Sequence, residues 1–124
     1  MEPYRILLGG VFIGTTQLER ADAPMGVVIG RISFSEAGSG YSFITEYCGK
    51  NGITLDLDDA EFKCIETPAL AELVVFNSKG TVVKGVGSYL SGMDNEGFDV
   101  TIYGISYPFY EEEFPHHARA YFGS

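Results

Sequence analysis

Three carboxylates, Glu111, Glu112 and Glu113, are separated by only Phe114 and Pro115 from a tandem histidine, His116 and His117. Hydrolytic and metal sites are assembled from these residue types, because an imidazole exchanges protons near neutral pH or ligates an ion, and a carboxylate orients it or shares the ligation. The spacing argues against zinc. A helical zinc site sets its two histidines about one turn apart so that both face one ion, whereas adjacent side chains on a helix diverge by roughly 100°. Acid–base catalysis by His116 or His117 requires only one imidazole, met by a carboxylate or nucleophile from elsewhere in the chain. The competing reading gives the glutamates to a helix start, where negative charge suits the dipole, and the histidines to the next short turn. On that reading the stretch holds neither a catalytic site nor a metal, and the sequence implies no cofactor.

Asp56, Asp58, Asp59 and Glu61 form the densest acidic stretch, DLDDAE. It fails as a calcium loop: counting from Asp56, the fifth position is Ala60 and the sixth Glu61, where an EF-hand needs an oxygen ligand and then glycine. DNEGFD, Asp94 to Asp99, reads as compact hairpin-turn chemistry. KGVGSYLSG lacks both the lysine–hydroxyl ending of a P-loop and the three-glycine spacing of a dinucleotide site, so its glycines are expected to bend a curved strand. There is no G-x-S-x-G elbow, and Ser39 and Ser88, among glycines, read as turn residues.

Seventeen acidic residues against eight basic ones give a formal charge of −9. Such a field repels phosphate backbones and anionic lipid and attracts a basic protein. Aromatic residues crowd the last quarter, but Arg119 is the sole Lys or Arg from Gly85 onward, so a nucleic-acid stacking platform is not expected. Cys48 and Cys64 lack paired metal-site spacing and read as buried thiols. The N-terminus has no leader pattern and no run approaches the roughly 20 apolar residues of a membrane span, giving a cytoplasmic protein as the expectation.

These residues must be held by a single compact domain, residues 1–124, mainly β: a curved antiparallel sheet or small barrel-like sandwich of about six to eight strands with short helical turns, or an α+β variant. YRILL and VFIGTTQL flank Gly9-Gly10 as a hairpin with Leu8 opposite Val11, Ile6 opposite Ile13 and Tyr4 opposite Thr15; Leu7 and Phe12 share the other face, which is apolar enough to predict cover on both sides. GVVIGRISF reads as a strand interrupted at Gly30. Residues 41–49 suit a short helix or turn through Ile44, Tyr47 and Cys48, or a strand through alternate aromatics. ITLDL alternates as a strand, and Asp58 with Glu61 forms a capping box for a helical turn through Phe62. LVVF, TVVKGVGSYL and FDVTIYGI make a meander, with Phe98, Val100 and Ile102 on the core face. Pro108 and Pro115 open two short helical turns, and Phe109, Phe114, Tyr121 and Phe122 pin the tail, with Gly123 near its end.

Three functions follow. The first is a non-enzymatic acidic binding module, inhibitor- or antitoxin-like, holding a basic protein through Asp56, Asp58 and Asp59 or through Glu111, Glu112 and Glu113. The alternative is a small enzyme or ligand-binding protein using His116 or His117 with a carboxylate. The third is self-association through sheet edges or the apolar outer face of the first hairpin.

Overall fold

In the computed structural model, which describes residues 2–36, 38 and 40–122, Gly9 and Gly10 take φ of +59° and +80° and turn the chain between β1 (Tyr4–Leu8) and β2 (Val11–Thr16). Glycine enters this left-handed region without a Cβ clash, which makes the tight turn possible. Leu8 lies opposite Val11 as expected, but a bulge between Ile6 and Leu7 then shifts the register by one. Ile6 pairs with Gly14 and Tyr4 with Thr16, correcting the expected partners Ile13 and Thr15. The extra residue lets Ile13 turn inward to 5% exposure while Phe12 stays outside at 40%.

The remaining strands are β3 (Arg20–Asp22), β4 (Val27–Arg31), β5 (Ser33–Phe34), β6 (Leu57–Asp59), β7 (Cys64–Glu66), β8 (Leu73–Phe76), β9 (Gly87–Met93) and β10 (Gly97–Tyr103). The helices are α1 (Gly40–Lys50), α2 (Phe109–Glu113) and α3 (Pro115–Phe122). The fold is mainly β, as two antiparallel sheets ordered β5-β2-β1-β8 and β3-β4-β10-β9-β7-β6. Neither closes into a barrel, and the strand number exceeds the expected six to eight because several strands are only two or three residues long. Their inner faces share one core, with Ile6, Leu18, Ile44, Leu90, Val100 and Tyr110 fully enclosed.

Several local expectations change with the topology. GVVIGRISF is split: β4 belongs to the six-stranded sheet and β5 to the four-stranded one, the chain crossing between them at Ile32, while Gly30 is paired in register with Val100. Residues 41–49 are helical, with Tyr41, Ile44 and Cys48 buried on one face. ITLDL is not a strand as a whole, since pairing begins only at Leu57; the turn after it is a β-hairpin rather than a helical turn, with Asp59 Oδ1, not Asp58, accepting from the amides of Glu61 and Phe62. The meander is divided as well. β8 pairs with β1, and β9 with β10, so TVVKGVGSYL is a strand only from Gly87. Phe98, Val100 and Ile102 are buried as expected.

The tail forms two short helices after Pro108 and Pro115. Phe114 is buried and Phe109 packs against the core, but Tyr121 and Phe122 are 59% and 58% exposed and do not pin it. The anchor that the pattern missed is Tyr110, whose ring is fully enclosed. Ser39 and Gly123 lie outside the described residues.

Candidate functional site

The chemistry-bearing residues of the tail are distributed by α2 and α3. Glu111 and Glu112 occupy the first turn of α2, where their charge faces the positive helix end. Glu113 points the other way. Its Oε2 accepts from the Tyr4 hydroxyl at 2.7 Å and its Oε1 from Asn77 Nδ2 at 2.9 Å, so one carboxylate ties α2 to the starts and ends of two strands in the four-stranded sheet. Tyr110 donates to the Val27 carbonyl at 3.0 Å and Tyr107 to the Ala23 carbonyl at 2.9 Å, fastening the same tail to the approach to β4. Rings of Tyr4 and Tyr110 lie 5.8 and 5.4 Å from that of Phe114.

His117 Nε2 lies 2.8 Å from the Leu18 carbonyl oxygen, which can only accept; Nε2 therefore carries the proton and donates. Leu18 is fully buried at φ +46°, where the chain crosses from β2 to β3, and its amide donates to Thr16 Oγ1. One ring nitrogen of His117 is thus spent on holding a crossover. His116 is exposed, its ring centroid 4.1 Å from that of His117. Partial burial, then the neighbouring His117 and Arg119, pushes the His116 imidazole below its usual range, so it is neutral at pH 7. Among the described residues no hydrogen bond joins either histidine to Glu111, Glu112 or Glu113, and no three His, Cys, Asp or Glu side chains converge as a metal site would require. The groove beside His117, lined by Asp22, Pro24 and Tyr121 among others, is open and offers no hydroxyl or thiol nucleophile besides that phenol.

The second acidic stretch sits on the β6–β7 hairpin. Asp58 accepts from the Tyr41 hydroxyl in a short hydrogen bond, and Asp94 Oδ1 accepts from the Tyr41 amide at 3.0 Å, so two acids brace the first turn of α1. Asp59 closes the hairpin turn, leaving Asp56 and Glu61 exposed. β6 is an outermost strand of its sheet, and Leu57 and Phe62 are 46% and 59% exposed among the acids. α3 packs on β3, at the opposite end of the same sheet. Five inter-strand gaps of about 4.8 Å separate the two acidic stretches by roughly 24 Å, so the fold does not bring them together.

The basic residues are also committed. Asp99 Oδ1 receives Arg31 Nε at 2.9 Å and Arg20 Nη2 at 2.8 Å across three adjacent strands, a cluster with no local signal in the sequence. The deepest apolar hollow lies elsewhere, a cleft of about 190 Å³ lined by Phe12, Phe34 and Phe43, with Glu36 at its wall. Sequence reasoning gave no warning of it, because those three aromatics come from two strands and a helix.

The tyrosines give a pH prediction. Burial first, then the hydrogen bond from its hydroxyl to Glu113, raises Tyr4 far above the usual 10; the bond to Asp58 first, then burial, pushes Tyr41 up to about 12; burial first pushes Tyr110 up to about 12. A phenol whose folded pKa is raised supports the fold fully below the unfolded value near 10, and that support is lost as pH climbs toward 12. Absorbance at 295 nm is expected to show at least three of the eight tyrosines still protonated at pH 11 in the folded chain, against uniform titration near 10 in urea. Coincident curves would remove the hydrogen-bonded tyrosines from this account.

No helix among the described residues is long and apolar enough to cross a membrane. No family model, curated protein or solved structure matches this chain.

Proposed function

We propose that this domain is a non-enzymatic protein-binding module that holds a basic partner along the β6 edge. The observation that carries the reading is that an unpaired strand edge, exposed apolar side chains and negative charge coincide at one place: Leu57 and Phe62 stand free among Asp56, Asp58, Asp59 and Glu61. An extended segment can add to such an edge by main-chain hydrogen bonds, its apolar side chains meeting Leu57 and Phe62 while its lysines or arginines meet the carboxylates. The net charge of −9 speeds that encounter and discourages acidic competitors, including a second copy pairing through the same edge. Glu111 and Glu112 contribute to the field from roughly 24 Å away rather than to the contact. Glu113, held by Tyr4 and Asn77, belongs to the fold.

Affinity capture at physiological salt followed by mass spectrometry is expected to recover a protein of net positive charge that elutes as salt rises to about 0.5 M. Asp56→Lys with Glu61→Lys should weaken that complex by at least about tenfold, while Glu111→Lys with Glu112→Lys changes it by less than about threefold. Acidic or neutral partners, or equal losses from the two pairs of substitutions, would sink the proposal.

A further inference from the structure

The four-stranded sheet has an outer face that no helix covers. Arg5, Leu7, Phe12, Val74 and Phe76 share it by register, since Leu7 lies opposite both Phe12 and Val74, and Arg5 opposite Phe76. Their inward neighbours Ile6, Leu8, Leu73 and Val75 are buried, whereas Leu7, Val74 and Phe76 are half-buried and Phe12 is exposed. At the Phe12 end this face runs into the aromatic cleft, whose rim adds Val11 and Phe43 at 62% and 40% exposure. Sequence alone predicted cover on this side, and the chain supplies none.

Charge on this surface is balanced. The Arg5 guanidinium lies 5.3 Å from the centre of the Phe12 ring, Glu36 walls the cleft that Phe12 helps close, and neither has an ion-pair partner among the described residues. One cation and one anion cancel, so the surplus of −9 lies elsewhere on the chain. Two copies of so acidic a chain repel least when these faces meet. A twofold axis near Phe12 makes the contact isologous, giving each Arg5 the partner copy's Glu36. We infer that this face docks a second copy of the chain, apolar surface against apolar surface, with reciprocal Arg5–Glu36 pairs across the axis.

Four strands about 4.8 Å apart and five residues rising about 3.3 Å each make a face of roughly 300 Å², short of the roughly 800 Å² per partner in a standard interface. Even with the cleft added, the dimer is a weak one. The full chain, followed by sedimentation equilibrium and light scattering from about 10 µM to about 1 mM, is expected to pass from monomer to dimer and no further. Phe12→Lys, at an exposed position, should weaken association at least about tenfold with the circular dichroism unchanged. Arg5→Glu and Glu36→Arg should each weaken it about fivefold or more, and the two together should restore it to within about threefold, with net charge back at the starting value. A wild-type chain that stays monomeric to about 1 mM, a Phe12→Lys chain that dimerises as well as wild type, or a double swap that fails to recover association would each overturn the inference. This face lies on the other sheet from β6, so binding of a basic partner in the Phe12→Lys chain tests the proposed function separately.

Discussion

Phe114→Ala is expected to cost about 4 kcal/mol of unfolding free energy, within the range of roughly 3–5 kcal/mol for truncating a buried aromatic ring. Phe114 is 1% exposed, and its ring contacts those of Tyr4, Tyr110 and His117. Its removal therefore leaves a void between the first strand and both tail helices. Collapse into that void is resisted because Tyr4 is held by Glu113, Tyr110 by the Val27 carbonyl and His117 by the Leu18 carbonyl. Domains of this size have total stabilities of about 5–15 kcal/mol, so the change removes a large part of the whole. Urea denaturation at unchanged slope is the measurement. Tyr110→Phe is the companion: it keeps the ring and deletes only the hydroxyl bond, leaving the Val27 carbonyl one partner short, with an expected loss of about 1 kcal/mol. A Phe114→Ala loss below about 1 kcal/mol would mean that the tail is an appendage and not part of the core.

Gly26→Ala should be nearly as damaging, at about 3 kcal/mol, by a different mechanism. Gly26 caps the short 3₁₀ turn Ala23–Met25 at φ +66°, and a methyl group in that left-handed region costs roughly 1–2 kcal/mol by itself. The built Cβ would also press on the Ile105 backbone, with its carbonyl oxygen far inside van der Waals contact and its nitrogen at 2.9 Å. That backbone cannot retreat freely, because the Ile105 amide donates to the Gly26 carbonyl at 3.0 Å where β4 begins and β10 ends. Overpacking of this kind adds roughly 1–3 kcal/mol. Gly10→Ala separates the two terms: Gly10 has φ +80° but open space around its Cβ position, so it should lose only the conformational part. Equal effects at the two sites would show that close approach to Ile105 contributes nothing.

Much of the fold was legible because strand patterning is local. Alternation in YRILL, LVVF and FDVTIYGI follows from successive side chains pointing to opposite faces, and two glycines at positive φ mark a hairpin whatever surrounds it. Pro108 and Pro115 marked the two tail helices for an equally local reason. The same logic failed at Ile13, where a single extra residue changed the register; no nearest-neighbour preference in VFIGTT separates bulged from regular pairing. It failed again in ITLDL, whose alternation is real but whose first residues find no strand beside them.

The candidate site was less legible. Residue types and spacing were enough to refuse a helical zinc pair, a calcium loop and a phosphate cradle. They could not reveal that Glu113 is consumed by Tyr4, 109 positions away, or that His117 holds the Leu18 carbonyl 99 positions away. Hydrogen bonds over such separations depend on which surfaces the core brings together, and the sequence within either segment carries no trace of the other.

By itself, then, the amino-acid order determined that the chain is β-rich, strongly acidic and built from short strands punctuated by glycine turns, since those properties reside in single residues and their nearest neighbours. Tertiary structure alone decided that the strands divide between two sheets, that half of the flagged acids serve as hydrogen-bond acceptors, and that Leu57, Phe62 and the face around Phe12 stay outside the core. Burial is the physical reason: an apolar side chain reads the same in sequence whether or not the rest of the molecule has enough surface to cover it.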